Sequence, residues 1–305
     1  MPLFIVNEEI NQLKVDVIVN VDKGTKADVS IDEDCLYRVE KLSKGESRIK
    51  QGYNKSCQYV IHTKGLRALD TANALRSVKQ SYLSLLNLTI EKKCSSIALP
   101  LLINEKDASI RDMVIENTIA IIREYLTFHE LDVHLVLSKP YLPSRLNSVF
   151  KQLRHLLVID EPVMMRKSVS MDRMHDQVEH YAINKVIAID AEFQTFQERL
   201  FELIDKNDYK ETDVYKRANI SRKLFSKIRS DRLHIPKKST VIALVFALRL
   251  EIDEAIELLQ SAGYYLAEGI EYDRIIRFFL EKHIYDVIDI NISLYEYGYK
   301  PLGSK

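Results

Sequence analysis

Positively charged side chains are concentrated in one stretch of this 305-residue chain. Residues 206–240 hold eleven Lys and Arg and four acidic residues, a net charge of +7, although the whole chain is neutral. A helix predicted at Ser221–Ser230 carries cations and hydroxyls suited to phosphate oxygens and base edges. Because a surface helix also needs polar residues for water, a role without nucleic acid stays open. The candidate nucleic-acid contacts are Ser221, Arg222, Lys223, Ser226, Lys227 and Arg229.

The other polar residues offer little catalytic or metal-binding chemistry. Cys35, Cys57 and Cys94 form no CxxC pair, and His175 and His180 lack the spacing of a metal pair. No Ser-His-Asp arrangement or paired-carboxylate spacing stands out, and no glycine-rich GxGxxG or GxxxxGK[ST] phosphate motif occurs. The sequence therefore predicts no metal, no cofactor and no catalytic residues.

Cysteine content and hydropathy exclude further classes. Three cysteines without a pairing pattern are typical of a reducing compartment. No apolar run approaches the ~18 residues that a membrane helix needs, and the N-terminus lacks a signal-peptide pattern. We therefore expect a cytoplasmic protein without a membrane partner, and its length suits two domains.

The elements that position the polar residues differ between the two halves of the chain. In residues 1–142, β-branched runs such as Leu3–Val6 and Ser96–Leu102 alternate with helical patterns at Thr71–Glu91 and Ile110–Tyr125. Strands interleaved with helices of this length predict a partly parallel sheet that is covered on both faces. The first domain is therefore predicted to be a three-layer α/β/α domain.

The rest of the chain is predicted to be a linker followed by helices. Residues 143–192 lose the alternation and are interpreted as a linker with a short helix at Leu146–Leu157, in which Ser168 or Ser170 could accept a phosphate beside a basic pair. Residues 193–305 have helical periodicity throughout, which predicts an all-α domain. The fold class is thus α/β followed by all-α.

Five segments of the first domain follow one another in the order of a known family. They are Ile5–Ile10, Val15–Asn20, Gly45–Asn54, Tyr59–Thr63 and Ser96–Pro100. Together they resemble the macro domain family of ADP-ribose-binding modules. This resemblance implies a ligand groove between the loop that follows the second segment and the loop that follows the fifth. It implies ligand contacts from Glu9, Asn20, Lys23, Gly24, Lys26, Pro100, Ile103 and Asn104.

Both loops of that groove depart from the family's pattern. Lys23 stands where the family has the second Asn that helps hydrolases act on the distal ribose, and Gly24 is the one glycine left in the first loop. The loop after Pro100 has no glycine. Because a diphosphate is held by inward-facing amides that need glycine or a helix N-terminus, we expect the usual ADP-ribose pose to be lost. A groove competent for ADP-ribose or a related nucleotide is the alternative.

A second recognisable pattern lies at about residues 212–264. Ala218 is small enough for two helices to approach, Asn219 tolerates a left-handed turn, Ile220 is apolar, and Ser221 can cap the next helix. This order resembles the helix-turn-helix of the Cro/repressor (Xre-like) family. The resemblance implies double-stranded DNA as a partner and a homodimer on palindromic sites.

The sequence as a whole predicts a non-enzymatic regulator. In this hypothesis a macro-like sensor or interaction module is coupled to a helix-turn-helix that binds DNA or a partner protein, in bacterial stress or phage defence. Two alternatives stay open. One is an ADP-ribosyl hydrolase or another enzyme that processes an ADP-ribose derivative. The other is a scaffold in a multiprotein assembly with both ligand sites lost.

Overall fold

The chain divides into two compact units, Met1–Arg145 and Leu146–Lys305, and each is described here by itself. The computed structural model describes residues 2–22, 47–51, 57–65, 71–102, 108–137, 143, 146–159, 194–232 and 234–303. Within these ranges, no helix is both long and apolar enough to cross a membrane.

The first unit is built on a six-stranded mixed sheet. Its strands lie in the order β1-β6-β5-β2-β4-β3. All neighbouring pairs are parallel except β3 with β4, which is antiparallel. The predicted α/β class with a partly parallel sheet is confirmed. The strands are β1 Leu3–Val6, β2 Val17–Asp22, β3 Ser47–Gln51, β4 Tyr59–Lys64, β5 Ser96–Pro100 and β6 Asp132–Val136.

Both faces of this sheet carry buried side chains, because the adjacent residues Ile97 and Ala98 point to opposite faces and are both unexposed. Val17 of β2, Ile97 of β5 and Val133 of β6 are aligned in register, and none of the three is exposed to solvent. Continuous β-branched and aliphatic runs are typical of parallel strands, which must bury side chains on the sheet. Two long helices pack against each other in this unit, α1 at Thr71–Glu91 and α2 at Ala108–Leu126.

The second unit is all-helical among its described residues. Its most buried element is α7, in which every residue from Val241 to Ala247 is apolar and buried, as expected for a helix surrounded by others. This confirms the predicted all-α character of the C-terminal region. The helices are α3 Asn147–Ile159, α4 Phe196–Lys206, α5 Glu211–Arg217, α6 Arg222–Ser230, α7 Lys238–Ala247, α8 Ile252–Ser261, α9 Glu271–Glu281 and α10 Val287–Glu296.

Helix α3 lies within the stretch that the sequence predicted to be a linker. Leu153 is fully buried in the core of the second unit, and the ring of Phe150 stacks on Tyr297 with centroids 6.5 Å apart. Arg274 of α9 donates a hydrogen bond to the Leu156 carbonyl at 2.8 Å. The apolar stripe of α3 therefore has a packing partner, and the second unit begins at Leu146. Ser168 and Ser170 lie outside the described residues.

A buried ion pair connects α7 to α9. The Lys238 ammonium lies 2.7 Å and 2.8 Å from the two carboxylate oxygens of Asp273, and these side chains are 10% and 0% exposed. The Ala267 N–H donates a further hydrogen bond of 2.8 Å to the same carboxylate. A charge pair taken out of water needs such additional donors to offset its desolvation. Neither residue was singled out from the sequence.

Candidate ligand-binding site and nucleic-acid face

The parallel strands of the first unit end at the same edge of the sheet. At this edge the chain leaves the neighbouring strands β2 and β5 toward opposite sides of the sheet. β2 lies beside β5; the chain continues from β2 toward β3 and β4 on one side, and from β5 through α2 to β6 on the other. In open α/β sheets, ligands bind in the crevice outside the carboxyl ends of strands at such a point. The topology therefore favours a candidate ligand site beyond Asp22 and Pro100.

Three of the eight predicted ligand contacts lie among the described residues. Asn20 is half-buried in β2, where it is aligned with His62 of β4. Pro100 is the half-buried last residue of β5, and Glu9 is exposed immediately before a short 3-10 helix, Ile10–Gln12. These three positions are not shown to share a ligand. The remaining predicted contacts, which lie outside the described residues, are Lys23, Gly24, Lys26, Ile103 and Asn104.

A buried tyrosine holds the start of the loop that follows β5. Tyr82 of α1 is fully buried, and its hydroxyl donates to the Pro100 carbonyl at 3.0 Å and accepts from the Leu102 N–H at 3.2 Å. Burial raises the pKa of Tyr82, so the phenol keeps the proton that it donates. The helical spacing of apolar residues predicted Tyr82 as a core residue, but no sequence signal indicated where its hydroxyl would bond.

At the opposite edge of the sheet, one carboxylate ties β2 to β5. Asp16 Oδ2 accepts hydrogen bonds from the backbone N–H and hydroxyl of Ser95, both at 2.7 Å, and from the Ser96 N–H at 3.1 Å. The Asp16 N–H donates in return to Ser96 Oγ at 2.8 Å. Burial raises the pKa of Asp16, but these hydrogen bonds outweigh burial and the pKa lies below its usual value. The two strands that flank the candidate site are thus fixed relative to each other at their N-terminal ends.

In the second unit, the turn between α5 and α6 has the local geometry expected from its residues. Asn219 has a φ of 55°, and Ala218 and Ile220 on either side are fully buried. The Ser221 side chain accepts a hydrogen bond from the Leu224 N–H at 3.2 Å and caps α6. The local predictions for these four residues are confirmed. They do not establish that α5 and α6 form a DNA-binding helix-turn-helix.

The predicted nucleic-acid contacts lie on and just before α6, whose Phe225 and Ile228 face the core. Arg222, Lys223, Ser226 and Lys227 are exposed along the helix, and Ser221 is half-buried at its cap. Among the described residues, no ion pair includes Lys223 or Lys227.

Arg229 differs from those cations because it already has an acidic partner. Its guanidinium lies 2.8 Å from the Glu211 carboxylate of α5. The neighbouring Arg232 likewise pairs with Glu198 of α4. The structure therefore brings most of the predicted contacts onto one helix, with Arg229 partly neutralised.

Metal-ligating side chains do not gather in either unit. Across the ranges that the structure describes, no group of three or more His, Cys, Asp or Glu side chains could hold a metal ion.

Comparison with known proteins identifies the class of the first unit. The family model for the Macro domain matches residues 25–105. The first unit is therefore similar to the Macro domain over these residues, which include Lys26, Pro100, Ile103 and Asn104 but not Glu9, Asn20, Lys23 or Gly24. The predicted Xre-like identity of the helical unit stays a prediction.

Two similar curated proteins come from mammals. The chain is 27% identical over 136 residues to the ADP-ribose glycohydrolase MACROD1 of Mus musculus, covering 40% of this chain and 42% of that protein. It is 26% identical over 136 residues to the Rattus norvegicus protein of the same name, covering 40% and 53%. The chain thus spans about half the length of the curated relatives it matches. Among solved structures, it is similar to the Oceanobacillus iheyensis macrodomain with ADP, at 20% identity, 52% and 92% coverage and a TM-score of 0.37.

Proposed function

We propose that the first unit binds ADP-ribose or an ADP-ribose derivative at the sheet edge beyond β2 and β5. The observation that carries this proposal is the macro domain match over residues 25–105, which includes the loop after β5 and most of the stretch between β2 and β3. The strand order supports the same place independently, because β2 and β5 flank the point where the chain changes direction. The mouse and rat relatives, named ADP-ribose glycohydrolases, support this ligand class.

Calorimetric titration of the full chain with ADP-ribose tests this binding. We expect a dissociation constant in the micromolar range, about −8 kcal/mol. Asn20→Ala should weaken binding by about tenfold, because it removes a half-buried amide at the carboxyl end of β2. Asn117→Ala is the matched control, since that amide donates to the Met113 carbonyl within α2. Absence of binding by the unaltered chain would refute the proposal.

We further propose that the first unit recognises its ligand without hydrolysing it. Lys23 replaces the Asn that the family's hydrolases use at the distal ribose. The competing function, hydrolysis, is favoured by the name that both curated relatives carry. Incubation with a mono-ADP-ribosylated protein separates the two functions. Retention of the modification supports a reader, whereas release of free ADP-ribose at a rate abolished by Asn20→Ala would establish an enzyme.

A second candidate function belongs to the helical unit. We propose that α6 contacts double-stranded DNA through its exposed cationic side. One observation supports this proposal. A capped helix follows a turn with the expected left-handed Asn219, and it presents Arg222, Lys223 and Lys227 to solvent. Cations so placed would contact phosphates and release counterions, which makes binding salt-dependent.

Mobility shifts of genomic DNA fragments at two salt concentrations test this second function. The Lys223→Ala/Lys227→Ala variant should bind more weakly and reduce the salt slope by about 2, one unit per phosphate contact. The control is Lys92→Ala/Lys151→Ala, which removes the exposed Lys92 just after α1 and the exposed Lys151 of α3. Equal binding by both variants would exclude α6 as the interface. A partner protein would then be the occupant to seek.

A regulator requires the two functions to be coupled. Coupling exists only if ADP-ribose has different affinities for the DNA-bound and DNA-free chain. Repeating the mobility shift with saturating ADP-ribose measures this difference directly. If neither ligand binds, the scaffold alternative is favoured.

A further inference from the structure

A buried asparagine of α10 binds the backbone of a segment that follows the helix. Asn291 is 8% exposed. Its amide nitrogen donates to the Leu302 carbonyl at 3.2 Å, and its amide oxygen accepts from the Leu302 N–H at 2.6 Å. Leu302 is unexposed in the core of the second unit, where unpaired backbone groups would be costly. One side chain therefore fixes both polar backbone groups of Leu302.

The next residue lies against the turn that precedes α6. Gly303 is buried and has a φ of 75°. A Cβ added to it would lie 2.5 Å from the Asn219 carbonyl oxygen and 2.9 Å from the Ala218 carbonyl oxygen. Two stretches of backbone thus meet here without a side chain between them. Because backbone in a packed interior cannot yield as a flexible side chain can, the position of Gly303 limits where the turn can lie.

The turn sets the direction in which α6 leaves it. Asn219 has a left-handed φ of 55°, and Ser221 caps α6 by accepting from the Leu224 N–H. A helix of nine residues is about 13 Å long, so a rotation of about 10° at the turn moves its far end by roughly 2 Å. Hydrogen bonds to phosphate oxygens form over a distance range of only about 0.5 Å. A small displacement of the turn is therefore sufficient to break contacts made by Lys223 and Lys227.

We propose that Asn291 is a positioning residue for the DNA contact of α6. It holds Leu302, Leu302 places Gly303 against the turn, and the turn directs the cationic side of α6. We call Asn291, Leu302 and Gly303 the turn brace. Asn291 acts through this brace and does not touch DNA. The inference rests on the DNA-binding function proposed for α6.

Asn291→Leu tests the inference, because leucine has a similar branched shape but leaves both backbone groups of Leu302 without their partner. We expect the full chain to bind a labelled random-sequence DNA duplex about tenfold more weakly, measured by fluorescence anisotropy. The salt slope of the affinity should fall by about 1–2, since each lost phosphate contact removes about one unit. Partial unfolding alone would reduce the binding-competent fraction and leave this slope unchanged. Unchanged affinity, or weaker binding with an unchanged slope, would overturn the proposal.

Ser293→Ala is the matched control on the same helix. Ser293 is unexposed, and its hydroxyl donates to the Asp289 carbonyl within α10 at 2.9 Å. The variant thus removes a buried hydrogen bond from α10 without touching the turn brace. DNA affinity should stay within about twofold, with the same salt slope. A loss equal to that of Asn291→Leu would show general destabilisation of α10 and refute the brace.

Gly303→Ala reaches the turn from the other end of the brace and keeps Asn291. The added Cβ should displace the turn and lower the salt slope as Asn291→Leu does. Gly298→Ala is its control, because Gly298 has a similar φ of 78° but an added Cβ would meet no atom within 4 Å. A slope that falls in Asn291→Leu but not in Gly303→Ala, or that falls equally in Gly298→Ala, would contradict a brace that acts through Gly303.

Hydrogen exchange at the Leu224 amide, followed by NMR without DNA, separates the failure of this inference from the failure of the proposed function. Protection should fall in Asn291→Leu and be kept in Ser293→Ala. Full protection in Asn291→Leu would refute the turn brace, whatever the DNA data show. If the unaltered chain binds no DNA while Asn291→Leu loses protection, the turn brace is confirmed, and the DNA contact of α6 and the role of Asn291 in it are both refuted.

Discussion

The two candidate sites are built in opposite ways. The face on α6 comes from one continuous segment, in which Asn219 turns the chain and Ser221 caps the helix through a residue three positions away. The edge beyond β2 and β5 depends on contacts between distant segments, such as the bond between Asp16 and Ser95, 79 positions apart. A site of the first kind follows from local sequence, whereas a site of the second kind follows from topology.

This contrast has a limit, because the continuous segment is itself held by distant contacts. Gly303, for example, lies so close to the turn before α6 that an added Cβ would be 2.5 Å from the Asn219 carbonyl oxygen. If the α6 face depended on local sequence alone, loss of such a contact would leave it intact. Four substitutions, taken from the largest expected effect to the smallest, measure how far each site depends on its surroundings.

Asp273→Ala should have the largest effect. It leaves the Lys238 ammonium and the Ala267 N–H without their partner in the interior, which costs about 3–5 kcal/mol. Denaturant unfolding of the full chain, followed by a probe in the second unit, measures the loss. Glu254→Ala is the control, because its ion pair with Lys206 is exposed and contributes about 0–1 kcal/mol. Similar losses for the two variants would contradict a special role for the buried pair.

Gly303→Ala should come next. Gly303 has a φ of 75°, and an added Cβ would lie 2.5 Å from the Asn219 carbonyl oxygen, so the turn before α6 would have to shift. We expect a loss of about 1–3 kcal/mol in stability. Gly269→Ala is the matched control, because its Cβ would meet no atom within 4 Å. If Gly303→Ala also weakens DNA binding, the α6 face depends on a residue far from it in sequence.

Asp16→Asn tests the tie between β2 and β5. Loss of the carboxylate weakens three hydrogen bonds, and we expect about 1–2 kcal/mol of destabilisation at neutral pH. Because the folded pKa of Asp16 is lowered, its contribution is present above the unfolded pKa and is lost as the pH falls through the folded pKa. Unfolding curves between neutral and acid pH should therefore converge for the unaltered chain and Asp16→Asn. Asp112→Asn removes a half-buried carboxylate elsewhere in the first unit and is the control for the loss of stability at neutral pH.

Glu211→Gln should have the smallest effect, and it should be a gain. Removing the carboxylate of Glu211 leaves the Arg229 guanidinium of α6 without this acidic partner. Exposed pairs of this kind contribute about 0–1 kcal/mol, so DNA binding should tighten by no more than about fivefold and the loss of stability should be no more than about 1 kcal/mol. Fluorescence anisotropy with labelled DNA measures the change. Weaker binding would indicate that the Glu211–Arg229 pair itself holds α6 in its binding position.

The sequence was most informative where a residue's role depends on its immediate neighbours. The α/β class, the mixed sheet, the left-handed turn at Asn219 and the cap at Ser221 follow from periodicity and turn chemistry. Three of the five segments that resemble a macro domain, Gly45–Asn54, Tyr59–Thr63 and Ser96–Pro100, lie within residues 25–105, which the family model matches. The sequence did not indicate that α3 packs on the second unit, because an apolar stripe does not specify which partner it meets.

Periodicity and turn chemistry were enough to predict the fold class of the first unit, the helical character of the second and the local geometry around α6. The hydrogen bond from the Leu102 N–H to Tyr82, the ion pair of Glu211 with Arg229 and the buried pair of Lys238 with Asp273 became visible in the folded chain alone. Backbone propensity and burial act over a few residues and therefore leave a periodic pattern in the sequence. The partner of a hydroxyl or a charge is set by which distant segments the fold brings within about 3 Å.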